Sequence, residues 1–265
     1  MKQNHLEDAR KYLRMCGVEH PEDDIKLLAA FATGRPLKMA LGAPAPEFSQ
    51  AQLAKFRRMV ARRGEKREPV AYIVGTEEFC GLEFKVTPSV LVPRPSTETL
   101  AERAGAPGSF LEIGTGSGAV AVTLAARGGR GTATDVSERA LEIARENAER
   151  HGVAERITFV KADLFVDGTF DLVVTNPPYV AADEFASLPP EVLHEPRQAL
   201  DGGKDGMEVI RRIVAGARER APRLLLECAP RQAAAVRESA LQAGFRNVQI
   251  VKDLDGFGRV VEASC

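Results

Sequence analysis

Ser109-Phe-Leu-Glu-Ile-Gly-Thr-Gly-Ser-Gly118-Ala-Val-Ala-Val-Thr-Leu-Ala-Ala126 decides the fold of this chain. Phe110–Ile113 reads as a short buried strand and Ala119–Ala126 as an apolar helix. The glycines between them allow a sharp turn and a close approach of a ligand to the main chain. Downstream the alternation continues. Gly131–Asp135 is a strand, and Ser137 caps a helix over Glu138–His151. Arg156–Val160 and Phe170–Val174 are strands, followed by a helix near Met207–Arg220, a strand at Arg223–Glu227 and a helix over Gln232–Ala243 that ends at Gly244. Alternating strands and helices imply a parallel α/β sheet covered on both faces. Val248–Val251 and Arg259–Glu262 lie too close for a parallel crossover, so they close the sheet as an antiparallel hairpin.

Upstream the pattern is helical. Leu6, Ala9, Leu13 and Cys16 recur at helical spacing before Gly17. Pro21 opens a second helix with Glu22, Asp23 and Asp24 in its first turn, and Gly34-Arg-Pro36 stops it. Ser49 is placed to cap a third helix carrying Leu53, Phe56, Met59 and Val60. Phe79, Leu82, Phe84 and Val86, with Gly81 among them, suggest a β-hairpin. Pro93-Arg-Pro95 is a stiff non-helical stretch, and Ser96 is placed to cap a short helix over Thr97–Ala104. These boundaries predict a helical domain over 1–70, a hairpin linker over 71–92 and a catalytic α/β domain over 93–265.

The 265 residues carry 36 basic and 37 acidic side chains, a net charge of −1, which argues against coating nucleic acid through bulk charge. The balance hides an asymmetry: residues 1–85 hold 15 basic and 12 acidic side chains, the rest 21 and 25. The longest uncharged apolar run, Ile113–Ala126, falls short of the roughly 20 residues that span a bilayer. The first residues show no apolar signal segment. Cys16, Cys80, Cys228 and Cys265 lie far apart without a Cys-x-x-Cys, so neither a disulfide framework nor a metal site is expected. Reduced thiols in the cytoplasm are the default.

Glu112 precedes a G-x-G-x-G loop of Gly114, Thr115, Gly116, Ser117 and Gly118. A nicotinamide site wants G-x-G-x-x-G with a helix N-terminus facing pyrophosphate. A carboxylate beside the loop suits a cationic ligand without phosphate, and S-adenosylmethionine is such a ligand. Asp135, 21 residues after Gly114, is placed to accept from ribose hydroxyls. Asp163 is placed to accept from the adenine amino group, and Leu164 to line the ring. The loop alone is equally well a tight strand–helix turn; the ordered set is what favours the methyl donor.

Asn176-Pro-Pro-Tyr179 follows the fourth strand directly. Proline simply ending a strand is the plain explanation of a lone Asn-Pro. Here the loop falls at the carboxyl end of a central strand beside the cofactor residues. Planar NH2 nitrogens are poor nucleophiles because their lone pair is delocalised. The Asn176 side-chain oxygen and the Pro177 carbonyl can each accept one N–H, orienting the amine toward a sulfonium methyl. Pro178 stiffens the turn, and Tyr179 is expected to offer an aromatic wall. This chemistry serves a glutamine amide and a nucleobase amine alike.

The chain resembles the peptide chain release factor glutamine methyltransferases, the HemK/PrmC family. The likeness runs through Glu78-Phe-Cys-Gly-Leu-Glu-Phe-Lys-Val-Thr-Pro88, Pro93-Arg-Pro-Ser-Thr-Glu98, Leu111–Gly118, Asn176–Tyr179, Glu195-Pro-Arg-Gln-Ala-Leu-Asp-Gly-Gly203 and Asp205-Gly206. It implies a class I S-adenosylmethionine-dependent methyltransferase, Rossmann-like with a seven-stranded sheet, behind a small helical substrate-recognition domain. It implies N5-methylation of the glutamine in the Gly-Gly-Gln motif of bacterial class I release factors, with S-adenosylhomocysteine as product. By position, Gly114–Gly118, Asp135, Leu164 and Asn176 would hold the cofactor, and Asn176–Tyr179 the substrate glutamine. The expected partner is a release factor, met by a cytoplasmic monomer without stable nucleic-acid binding or a membrane. The open alternatives are methylation of a ribosomal-protein glutamine or of a DNA or RNA exocyclic amine.

Ser96, Cys80 and Cys228-Ala-Pro230 depart from the family pattern, which usually has Glu, an aromatic residue and Ile-Gly there. Arg94 is placed to bridge the linker and the active site or simply to make a surface or intramolecular salt bridge, and Arg197 is a candidate for substrate recognition. Lys55, Arg57, Arg58, Arg62, Arg63, Lys66 and Arg67 form a basic stripe, either a solvated face or a docking surface for an acidic partner.

Overall fold

The computed structural model describes residues 5–42, 44–253 and 255–265, which divide into two compact units. The first runs to Thr76 and takes in Pro189–His194; the second holds Glu77–Leu188 and Glu195–Cys265.

In the first unit, α1 (His5–Met15), α2 (Pro21–Thr33), α3 (Gln50–Glu65) and the short α4 (Val70–Val74) enclose one apolar core. Leu13, Leu28, Phe56 and Ile73 fill it. Pro21 sits in the first turn of α2, and Gly34 closes the helix in the left-handed region at φ 72°. Ser49 forms a full capping box with Gln52 at the start of α3. The basic stripe is largely spent inside this unit. Arg63 Nε donates to Asp24 at 2.6 Å and its Nη1 to Glu191 at 2.6 Å, while Arg67 Nη2 also donates to Glu191 at 2.6 Å. Arg62 pairs with Glu68, and the Lys55 ammonium lies 4.0 Å over the Phe31 ring. Acids distant in sequence neutralise the side chains that looked free, so the stripe is not a uniform docking face.

The second unit opens with a hairpin, β1 (Thr76–Phe79) and β2 (Leu82–Lys85). The expected linker over 71–92 is not a unit of its own. Ala71–Val74 belong to α4, while Phe79 and Phe84 are fully buried in the core of the second unit. Helix α5 (Pro95–Ala104) starts two residues earlier than a Ser96 cap predicts, because Pro95 occupies its first turn and Arg94 is the cap. Ser96 is thereby inside the helix, and its hydroxyl donates to Glu227 at 3.1 Å.

The main sheet contains β3 (Ser109–Ile113), β4 (Arg130–Asp135), β5 (Ile157–Lys161), β6 (Leu172–Thr175), β7 (Arg223–Glu227), β8 (Asn247–Lys252) and β9 (Gly258–Ser264). Their order is β5-β4-β3-β6-β7-β9-β8. The first five strands run parallel, and β9 pairs antiparallel with both β7 and β8. The helices of this unit are α5, α6 (Ala119–Ala126), α7 (Glu138–Arg150), α8 (Glu208–Arg220) and α9 (Ala233–Gln242). Helix α6 is buried from Ala119 to Ala125, which explains its lack of a polar face. Separate cores lie on the two sheet faces, one around Phe84, Leu100 and Leu124, the other around Leu111, Ile210 and Leu226.

Candidate active site

The chain steps outward from β3 to β5, then crosses back to β6 on the other side of β3. That reversal is a topological switch point, where open α/β sheets bind ligands beyond the carboxyl ends of the strands. Ile113 pairs with Thr134 on one side and Thr175 on the other, so Gly114, Asp135 and Asn176 leave the sheet at one level. Thr134 and Thr175 fix that level with hydroxyl bonds to Leu164 O at 2.7 Å and Ile113 O at 2.8 Å.

A cleft with an empty volume of about 1050 Å³ lies above them, lined by Gly114, Gly116, Asp135, Asp163, Leu164, Asn176, Pro177 and Pro178 among others. An adjoining recess is lined by Arg94, Thr97, Glu112, Thr115 and Ser117, and shares Gly114, Gly116 and Asn176. Gly118 and Tyr179 line neither.

The three glycines have different jobs. Gly114 and Gly116 sit at φ 72° and 55°, and a Cβ on either would meet nothing within 4 Å. Their bare backbone therefore faces open space along the cleft. A Cβ on Gly118 would lie 3.0 Å from the Ala144 Cβ, so this glycine lets α6 approach α7.

Glu112 is fully buried, and its Oε2 accepts from the Thr115 hydroxyl at 2.5 Å and from Ala121 N at 3.1 Å. It staples the glycine loop to the first turn of α6, a supporting task that the sequence does not distinguish from ligand contact. Burial pushes its pKa from 4.5 up to about 8, against the pull of those two donors. The folded chain thus keeps a proton that the unfolded chain releases, and stability falls as pH rises from 4.5 to about 8. Glu112→Gln has no such proton. Relative to wild type, its unfolding free energy should rise across that window by up to about 1.4 kcal/mol per pH unit, read by urea unfolding. A pH-independent difference contradicts the prediction.

Asp135 Oδ2 accepts from Gly116 N and Oδ1 from Ser137 N, both at 2.9 Å. Burial raises its pKa, and these N–H groups oppose the rise. A carboxylate has about four acceptor sites, so capacity remains for ligand hydroxyls. Asp163 is exposed and paired with Arg212 at 2.8 Å. Leu164 is held at φ 78°, an uncommon conformation for a side-chain-bearing residue, with its side chain buried at the cleft wall.

Asn176 Nδ2 donates to the Thr97 hydroxyl at 3.1 Å. The Tyr179 ring is partly buried against the core on this face of the sheet, and burial lifts its phenol pKa to about 12. The chain turns there to lay its backbone along residues 200–203. Val180 N donates to Leu200 O, Gly202 N to Val180 O and Ala182 N to Gly203 O. Gln232 Nε2 donates to both Tyr179 O at 3.0 Å and Gly206 O at 3.1 Å. No local signal marked Thr97 or Gln232 for these tasks. Arg94 pairs with the buried Glu195 at 2.6 Å, and the Arg197 guanidinium lies 4.5 Å over the Phe185 ring while its Nε reaches Asp201.

Residues 95–258 match the Methyltransferase small domain family, and residues 4–75 the PrmC N-terminal domain. A methyltransferase structure from Pyrococcus furiosus is 25% identical, with a TM-score of 0.53 over 70% of this chain and 89% of its own. The release factor glutamine methyltransferase of Geobacter sulfurreducens is 40% identical, covering 97% of this chain and 94% of its own length. That of Cereibacter sphaeroides is 42% identical over 95% and 94%. With a switch-point cleft, an Asn-Pro-Pro-Tyr turn at its edge and relatives matched across both units, the chain belongs to the release factor glutamine methyltransferase family.

Proposed function

We propose that this enzyme transfers a methyl group from S-adenosylmethionine to the side-chain amide nitrogen of the glutamine in the Gly-Gly-Gln motif of class I peptide chain release factors, in the cytoplasm. The observation that carries the reading is the position of Asn176 and Pro177. They line the cleft, one and two residues beyond Thr175, where β3 and β6 last pair.

The residues present fit the cofactor. Gly114 and Gly116 offer a cradle that a Cβ would fill, and Asp135 keeps acceptor capacity at the cleft. Glu112, Thr115, Ser117 and Gly118 support the loop, while Asp163 and Leu164 complete the wall. The cofactor supplies an electrophilic methyl on a sulfonium. The chain supplies acceptors: Asn176 Oδ1 and the Pro177 carbonyl each take one N–H of the substrate amide. Held this way, the nitrogen is oriented for attack, and positive charge developing on it is met by two fixed dipoles. No strong base is needed, because the N–H becomes acidic only as the methyl transfers.

The test is mass spectrometry of the Gly-Gly-Gln peptide after incubation of a release factor with enzyme and labelled cofactor. One added methyl on the glutamine is expected, with none when that glutamine is changed. Label that disappears on nuclease treatment would instead identify a nucleic-acid amine as the acceptor. Among the described residues, no helix is long and apolar enough to cross a membrane.

A further inference from the structure

Three residues from separate parts of the second unit meet beside the cleft, two of them, Thr97 and Asn176, lining its recess. Asn176 follows β6, Thr97 lies in the first turn of α5, and Glu227 ends β7. Asn176 Nδ2 donates to Thr97 Oγ1 at 3.1 Å, so the hydroxyl acts as acceptor toward Asn176. Its single proton must go elsewhere. Glu227 is fully buried, and its Oε1 accepts from the Ser96 hydroxyl at 3.1 Å. Its Oε2 is buried without a hydrogen-bond partner. Thr97 follows Ser96 in the same helical turn, and its hydroxyl is near enough to this carboxyl to oppose the rise in its pKa without forming a hydrogen bond to Oε2. An orphaned acceptor thus neighbours an uncommitted proton, and a buried polar atom is costly to leave unpaired.

We infer that Thr97 and Glu227 are positioning residues that set which end of the Asn176 amide faces the substrate. This rests on the reading of Asn176 as the substrate acceptor. A hydroxyl has one proton to give and two lone pairs to receive with. While the Thr97 O–H points to the Glu227 carboxyl, Thr97 keeps its proton and offers Asn176 only lone pairs. Only the NH2 end of the amide can then turn toward Thr97. The carbonyl end, Oδ1, is left for the cleft, where the substrate amide needs an acceptor. Without this polarity, the amide has two nearly isosteric orientations, and the flipped one presents a donor to a donor.

Thr97→Val keeps the shape of the side chain and removes the relay. It is expected to lower kcat about tenfold, the low end for losing one preorganised polar partner. S-adenosylmethionine affinity, release factor KM and the unfolding midpoint should stay close to wild type. Thr97→Ser keeps the hydroxyl and should recover most of the rate. Glu227→Gln places an amide where the carboxyl stood, lets a donor face Thr97, and should reproduce the kcat loss. The double variant Thr97→Val, Asn176→Ala should be no slower than Asn176→Ala alone, because both remove one device. Wild-type kcat in Thr97→Val or in Glu227→Gln overturns the inference. So does a Thr97→Ser enzyme as slow as Thr97→Val, or losses that multiply in the double variant. If Asn176→Ala itself turns over normally, the acceptor reading of the site fails first and the relay loses its purpose. A slow Asn176→Ala beside a normal Thr97→Val strikes the relay alone.

Discussion

Asn176→Ala is expected to lower kcat about a hundredfold, within the range found when one preorganised polar group is removed from a transition state. Release factor KM and cofactor affinity change far less, because the lost acceptor matters most as charge develops on the nitrogen. Single-turnover measurement with saturating cofactor separates this from a binding defect. Asn176 also donates to Thr97, so the variant leaves a small space at the end of α5. That is a stability effect, read independently by the unfolding midpoint. Unchanged turnover would remove Asn176 from the chemistry.

Gly206→Ala is the second large effect, and its cause lies behind the site. Gly206 sits at φ 72°, and a Cβ there would fall 2.4 Å from the Tyr179 carbonyl oxygen and 2.6 Å from Gln232 Nε2. Neither neighbour can yield without breaking the bond that Gln232 makes to Tyr179. The left-handed conformation alone costs about 1–2 kcal/mol for alanine. Displaced backbone and a lost buried hydrogen bond bring the total to about 3–4 kcal/mol. Turnover should fall as well, because the shifted segment is the one that carries Asn176 and Pro177. Gly152→Ala is the matched control. Gly152 sits at φ 67° with nothing within 4 Å of a Cβ, so it should lose only the conformational part and keep full activity. Equal destabilisation of the two variants, measured by urea unfolding, would contradict the clash.

The parts of the site that could be read from the sequence are those written along one strand and its following loop. Glycine spacing after β3, Asp135 at the end of β4 and Asn-Pro-Pro-Tyr after β6 announce themselves locally, because strand ends in a parallel sheet converge. The hairpin closing the sheet was equally legible from its short connection. Thr97 and Gln232 were not, since each acts on a loop 79 or 53 residues away and has no pattern of its own. Ser96 looked like a helix cap, but Pro95 fixed the helix start two residues earlier and freed the hydroxyl for Glu227. The basic stripe failed for the same reason in electrostatic form: Asp24 and Glu191 cannot be seen as partners of Arg63 until the chain is folded.

The short excursion Pro189–His194 has a consequence for how such a protein can be inherited. Six residues from deep within the methyltransferase region belong to the helical unit. They bring the Glu191 carboxylate to Arg63 and Arg67, and His194 to the Lys66 carbonyl at 2.6 Å. A gene cut at the 76–77 junction would carry away the helices and leave Glu191 behind. Two guanidiniums built around that half-buried acid would lose it, leaving Arg63 with Asp24 alone. The helical unit is therefore not a detachable module that recombination can shuffle between catalysts.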